Sequence, residues 1–142
     1  MDLKIKEVKT TAEMEEVFKL RENVFVEEQG VPLSIERDSY DKEAGHVIAK
    51  YEGETVACGR IVFADDGGKI GRVAVAQSFR KQGIGRKVCQ KLLEIAKEKS
   101  SEVVLHAQVD SIDFYKKLGF KEIGDEFIEA DIKHMKMQYT KK

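Results

Sequence analysis

The sequence predicts an α+β fold of the mixed α/β kind, with helices on a single mixed, largely antiparallel β-sheet. Three observations predict it. Short apolar runs bounded by turn residues read as strands, and apolar residues recurring at i, i+3 and i+4 read as helices. The two kinds follow one another in the order β-α-loop-β-β-β-α-β-α-β-β, which mixes a meander with alternating strands and helices. No repeat, low-complexity stretch or linker interrupts the 142 residues, so one domain over 1–142 is expected.

Each element has its own signal. Leu3, Ile5 and Val8 alternate as a first strand. Thr10-Thr11-Ala12-Glu13 has capping-box spacing, and Met14, Val17, Phe18, Val24 and Phe25 follow at helical intervals, predicting a helix from Thr11 to the mid-twenties. Over 29–45 the periodicity dissolves around Gly30, Pro32 and the acids Glu36, Asp38, Asp41 and Glu43, predicting a surface loop with at most one short helical turn. Residues 46–51 and 55–63 flank Glu52-Gly53-Glu54 as a hairpin, and the turn Asp65-Asp66-Gly67-Gly68 leads to a third strand at 70–75. Ile84, Val88, Leu92, Ile95 and Ala96 form one stripe of a helix ending near Lys99-Ser100. Residues 102–107 have a buried-strand pattern. Asp110-Ser111 is placed to cap a helix carrying Ile112, Phe114, Tyr115 and Leu118 and stopped by Gly119. Strands at 121–128 and 134–139 complete the sheet.

Composition excludes several classes. Hydrophobic residues at 42% and charged residues at 36% fit a folded chain with a charged surface. Cys58 and Cys89 are far apart with no CxxC or Cys/His spacing, which suggests neither a zinc site nor a disulfide framework, and no metal is expected. They read as structural thiols in a reducing cytoplasm. No segment approaches the roughly 20 apolar residues of a membrane span, so a soluble protein without a membrane partner is expected. The net charge of −1 divides into −7 over residues 1–66 and +6 over 67–142. Arg80, Lys81, Arg86, Lys87 and Lys91 cluster with no acid among them, which suits an anionic ligand or a solvated basic helix face. Phe79 alone supplies an aromatic there, too little for base stacking, so nucleic acid is not an expected partner.

Arg80-Lys81-Gln82-Gly83-Ile84-Gly85 lies where the third meander strand gives way to a helix. A helix start leaves backbone N–H groups unpaired at the positive end of the macrodipole, and glycines let a ligand approach them closely. The junction reads as a phosphate cradle. GxxxxGK[ST] is absent, which argues against a nucleoside triphosphatase, and GxGxxG is absent, which argues against a nicotinamide enzyme.

Arg80-x-x-Gly83-x-Gly85 matches the (Gln/Arg)-x-x-Gly-x-(Gly/Ala) signature of the GNAT superfamily of acetyl-CoA-dependent N-acetyltransferases. Phe114-Tyr115-Lys116-Lys117-Leu118-Gly119-Phe120 resembles that family's (Phe/Leu)-Tyr-x-x-x-Gly-Phe element. Both occur in the family's order, and the resemblance covers essentially the whole chain. Arg21, Phe25, Glu28, Gln29, Glu36, Asp38, Asp41 and His46 further resemble the ElaA-like branch. The resemblance implies six to seven strands flanked by about four helices, with strands four and five splayed apart. It also implies acetyl-CoA as co-substrate, a small-molecule or peptide amine as acceptor, direct transfer through a ternary complex, and a homodimer as a common assembly. A non-catalytic acyl-CoA-binding module of the same fold is the alternative.

The resemblance assigns roles residue by residue. Arg80, Lys81, Gln82, Gly83, Ile84, Gly85 and Arg86 would grip the pyrophosphate, and Val73, Ala74 and Val75 would present main-chain groups to the pantetheine arm. Phe114 is placed with the CoA contacts, and Asp110 stands where the family often carries an asparagine contacting CoA, although helix capping explains it as well. Tyr115 matches the general acid, since a phenol near pKa 10 stays protonated and serves a thiolate whose acid titrates near 8.5. Many relatives place a glutamate base on the fourth strand, where this chain has Gly71-Arg72. Glu28, His106 and His46 are the remaining base candidates, with Glu28 and His106 ranked equally. Neither cysteine sits in a Cys–His arrangement, so an acyl-enzyme is disfavoured. Acceptor choice should come from the first helix, the loop at 29–45 and the last hairpin. The acids Glu27, Glu28, Glu36, Asp38, Asp41 and Glu43 either steer a cationic amine or form a solvated surface. Polyamines, aminoglycosides, amino sugars and peptide lysines all fit.

Overall fold

Residues 3–64, 67–99 and 102–140 are described by a computed structural model of the chain. Asp65 and Asp66 of the expected turn and Ser100 at the expected helix end lie outside the described residues. The strands are β1 (Leu3–Glu7), β2 (Gly45–Tyr51), β3 (Glu54–Ala64), β4 (Gly67–Val75), β5 (Val103–Gln108), β6 (Phe120–Glu122), β7 (Phe127–Glu129) and β8 (Ile132–Tyr139). They join in the order β1-β2-β3-β4-β5-β8-β6, with β7 also paired to β8. Only the β4–β5 pair is parallel among the described strands. The expected strand at 121–128 is two short ones, which makes eight in place of six to seven; Gly124, at φ +81, turns the chain between them.

The helices are α1 (Thr11–Arg21), α2 (Leu33–Glu36), α3 (Ile84–Glu98) and α4 (Ile112–Leu118). Thr10 caps α1 by accepting from the Glu13 amide at 3.1 Å, while the Glu13 carboxylate reaches past the expected box to the Lys9 amide. From Glu22 to Glu28 the helix widens into a π-helix, which apolar spacing does not disclose. The chain enters α4 through a 3₁₀ turn, Val109–Ser111, whose backbone bond from Ile112 to Val109 replaces the expected side-chain cap.

The sheet is covered on both faces. On one, α3 buries Ile84, Val88, Leu92, Ile95 and Ala96 against β2, β3 and β4, with α4 alongside. Each of these side chains larger than Ala96 contributes roughly 1.5–3 kcal/mol. Gly59 of β3 permits this approach, because a Cβ there would come within 2.8 Å of Leu92 Cδ1. On the other face Val17 and Leu20 of α1, with Val24, cover Ile48, Cys58 and Ala74. Among the described residues no helix is long and apolar enough to cross a membrane.

Candidate active site

β4 and β5 pair only at Gly68–Val103, Lys69–Val104 and Ile70–Leu105, and beyond Ile70 they part. A β-bulge accompanies the parting. Arg60 of β3 faces Gly71 and Cys58 faces Ala74, so Arg72 and Val73 together oppose Gly59 alone. Arg72 takes φ +53, and the extra residue bends β4 away from its neighbour. The flank of β4 that carries Val73, Ala74 and Val75 is thereby unpaired toward β5.

The glycine loop follows directly. Lys81 at φ +65 and Gly83 at φ +81 turn the chain into α3. Only glycine takes the second conformation without strain, and no atom lies within 4 Å of where a Gly83 Cβ would sit. At Gly85 a Cβ would lie 3.4 Å from Val75 and 3.5 Å from Phe114, which is ordinary contact, so packing there does not demand glycine. Gly83 supplies the turn and open space, and Gly85 lies beside β4 and α4. Arg80 donates Nε to the Val75 carbonyl at 2.9 Å and Nη2 to Glu28 at 3.0 Å. Arg80 thus binds the end of β4 and one of the expected bases. Asp110 lies exposed in the turn before α4.

A cleft of about 900 Å³ opens on the α1 side of the sheet, beside the α1 cluster and over parts of β4, β5 and β8. His106, Tyr115, Arg72, Val73 and Glu129 are among its lining residues, and Glu28 is not. The Tyr115 ring packs edge-on to Phe114 at 4.9 Å and to Phe120 at 5.9 Å, which ties the cleft to the glycine loop through Phe114. Burial raises the Tyr115 phenol above its ordinary value, so it holds its proton at neutral pH. His106 faces the cleft because Val103, Leu105 and Ala107 alternate into the opposite core. Its Nδ1 donates to Glu129 at 3.0 Å, yet burial outweighs that bond and lowers the imidazole, favouring the neutral base at pH 7.

Glu36, Asp38 and Asp41 of the 29–45 segment are not a steering or solvated surface, whereas Glu43 is exposed. Glu36 is 1% exposed and Asp41 9%, and both pair with Arg21, which is fully buried. Arg21 donates Nε to Glu36 at 2.7 Å and Nη1 to Asp41 at 2.8 Å. Arg60 donates to Asp38 at 2.7 Å and to Asp41 at 2.8 Å, and Arg72 donates to Asp38 and to the carbonyls of Ile35 and Glu36. Asp38 and Asp41 also form a capping box around a 3₁₀ turn, Ser39–Lys42. Burial raises the Asp41 carboxyl, but its arginine bonds win and hold it down to about 2. His46 sits behind this network, not in the cleft: Nε2 donates to the Asp41 carbonyl at 2.8 Å, and burial lowers its pKa. Glu36 Oε1 and His46 Nδ1 are buried without partners among the described residues. Arg60 is the signal that sequence reading missed. A charged side chain inside an apolar strand requires a buried partner, and the adjacent loop holds the acids.

Burial pushes the Cys58 and Cys89 thiols up to about 12, which makes both inert as nucleophiles.

Comparison with known proteins agrees with this architecture. A family model described as an acetyltransferase (GNAT) domain matches residues 8–141. The uncharacterized N-acetyltransferase YjcF of Bacillus subtilis is 36% identical over 132 residues, covering 91% of this chain and 94% of that protein. The crystal structure of ElaA from Escherichia coli matches with a TM-score of 0.87 at 26% identity, over 97% of this chain and 99% of that one. An acyl-CoA N-acyltransferase from Pseudomonas aeruginosa matches with a TM-score of 0.85 at 28% identity, over 98% and 99%. The chain belongs to the GNAT acetyltransferase family, in its ElaA-like branch.

Proposed function

We propose that residues 1–142 act as one N-acetyltransferase domain that moves an acetyl group from acetyl-CoA directly to a primary amine in a ternary complex. The observation that carries this reading is the unpaired flank of β4 running from the cleft, at Val73, to the open glycine turn at Gly83. Backbone amides from Lys81 to Arg86 and the N-terminus of α3 suit a pyrophosphate, with Arg80, Lys81 and Arg86 adding charge. Val73, Ala74 and Val75 offer main-chain groups to the pantetheine arm, Phe114 flanks it, and Asp110, exposed in the turn before α4, is a further CoA contact.

Neutral His106 takes the proton from the amine, and Tyr115 gives its proton to the departing CoA sulfur. His106 is preferred to Glu28 because it lines the cleft with Tyr115, whereas Glu28 is paired with Arg80 outside it. Two inert thiols are compatible with work in the cytoplasm. Acetyl-CoA titration followed by a free-thiol assay over a panel of amines tests the reading. Binding with amine-dependent thiol release is expected, and Tyr115→Phe should cut turnover on the order of 10²-fold with little change in acetyl-CoA affinity. Binding without amine-dependent release from any amine would instead identify a non-catalytic acyl-CoA module.

A further inference from the structure

Glu129 lies at the end of β7, one turn before β8, and no sequence motif marks it. The turn is Ala130-Asp131, both residues left-handed at φ +51 and +62, which makes a tight two-residue hairpin. That hairpin lays Glu129 over β5, where its Oε1 meets His106 Nδ1 at 3.0 Å. The ring is also fixed from the side, since Phe127 of β7 packs edge-on against it at 4.9 Å. A carboxylate only accepts, so the bonded Nδ1 carries the hydrogen and the neutral ring keeps its lone pair on Nε2. Nε2 bonds no other described residue, and both His106 and Glu129 line the cleft that Tyr115 enters.

We propose that Glu129 is a positioning residue for His106, holding the imidazole as the Nδ1–H tautomer so that Nε2 receives the proton of the acceptor amine. This rests on the reading of His106 as the base. Once Nε2 is protonated, the ring is a cation and the Glu129 carboxylate stabilises it, so the hairpin supplies orientation before proton transfer and charge afterwards. The other groups facing the ring are Lys69 from β4 and Lys136 from β8, both of which disfavour a second positive charge. His134 of β8 lies 3.8 Å from the other Glu129 oxygen, and Tyr115 approaches as a neutral phenol. Among the described residues, Glu129 is the one carboxylate bonded to His106.

The signs are definite. Removing the Glu129 charge leaves Lys69, Lys136 and burial unopposed, so His106 becomes harder to protonate. The acid limb of kcat/KM, which rises as the base loses its proton, then moves to lower pH. Glu129→Gln retains an oxygen that accepts from Nδ1 and should lower kcat on the order of ten-fold; Glu129→Ala frees the ring and should lower it on the order of 10²-fold. Acetyl-CoA affinity should not change in either.

The test pairs an NMR titration of His106 with the pH profile in wild type and Glu129→Gln. A His106 midpoint and an acid limb that move down together support the proposal. A midpoint that does not move overturns it whatever the assay gives. A midpoint that moves while the limb stays put shows that the contact is real but His106 is not the base, which also overturns the catalytic role of Glu129. In a His106→Gln background, Glu129→Gln should add no further loss of kcat, and a full second loss would show a role independent of His106.

Discussion

The two faces of the sheet are held by different interactions. On the α3 face the buried cluster is hydrocarbon and thiol, with Leu92, Val88 and Ile61 excluded from solvent. On the α1 face a smaller apolar cluster adjoins Arg21, Arg60, Glu36, Asp41 and His46, all buried. Apolar burial is non-directional and scales with area, so the α3 face supplies stability without dictating exact positions. Buried ion pairs lose in desolvation much of what they gain in attraction, but they are geometrically exacting. The α1 face thereby fixes the segment that walls the cleft: Arg21 at the end of α1 reaches both α2 and the Ser39–Lys42 turn, and Arg60 and Arg72 anchor the same segment to β3 and β4.

That contrast predicts unlike consequences for core substitutions on the two sides. Arg21→Met should have the largest effect, because it takes from buried Glu36 and Asp41 their most deeply buried partner and leaves only Arg72, at 3.4 Å from Glu36, and Arg60, at 2.8 Å from Asp41; roughly 3–5 kcal/mol of unfolding free energy should be lost, read by denaturant titration. Amides over 33–42 should lose hydrogen-exchange protection first. A loss below about 1 kcal/mol would mean that the carboxylates find water or protons readily, and the distinction between the faces would fail. Leu92→Ala on the α3 face should follow at roughly 2–5 kcal/mol from lost contact and a residual cavity. Its effect should be global, with the exchange pattern over 33–42 altered no more than elsewhere.

Legibility in the sequence divides along the same line. Apolar periodicity discloses α3 and the β2–β3–β4 meander because hydrophobic burial follows regular spacing, and Gly83 and Gly119 are visible because their left-handed conformations demand glycine. Of the motif residues, Gly85, Phe114 and Tyr115 lie together where α3 and α4 meet, while Arg80 bonds the end of β4 and Glu28. Ion pairing across the fold leaves no such period. Arg21 and Glu36 are 15 residues apart and Arg72 and Glu36 are 36 apart, so only the folded sheet brings them together. The π-helical turn at Glu22–Glu28 and the strand break at Gly124 are local backbone departures for the same reason. The pairing of His106 with Glu129 depends on hairpin register, which residue types alone do not set.

Acid should separate the faces with the smallest of these effects. Against burial, the bonds from Arg21 and Arg60 hold the folded Asp41 carboxyl down to about 2 from an ordinary 3.8, so the folded state prefers its ionised form. The stability this contributes is complete from about pH 5 and is lost as pH falls through about 2, below which folded and unfolded carboxyls are both protonated. The amount is about 2 kcal/mol. Glu13 in the first turn of α1, held down to about 2 chiefly by its bond to Lys6, titrates in the same window, so a global melting curve would blend the two. Residue-resolved hydrogen exchange at about pH 3 against about pH 6, corrected for intrinsic rates, keeps them apart. Amides over 33–42 should open in acid while those of α3 retain protection. Equal loss in both regions would place the acid-sensitive contacts outside the arginine network and would remove the charge-based distinction between the faces.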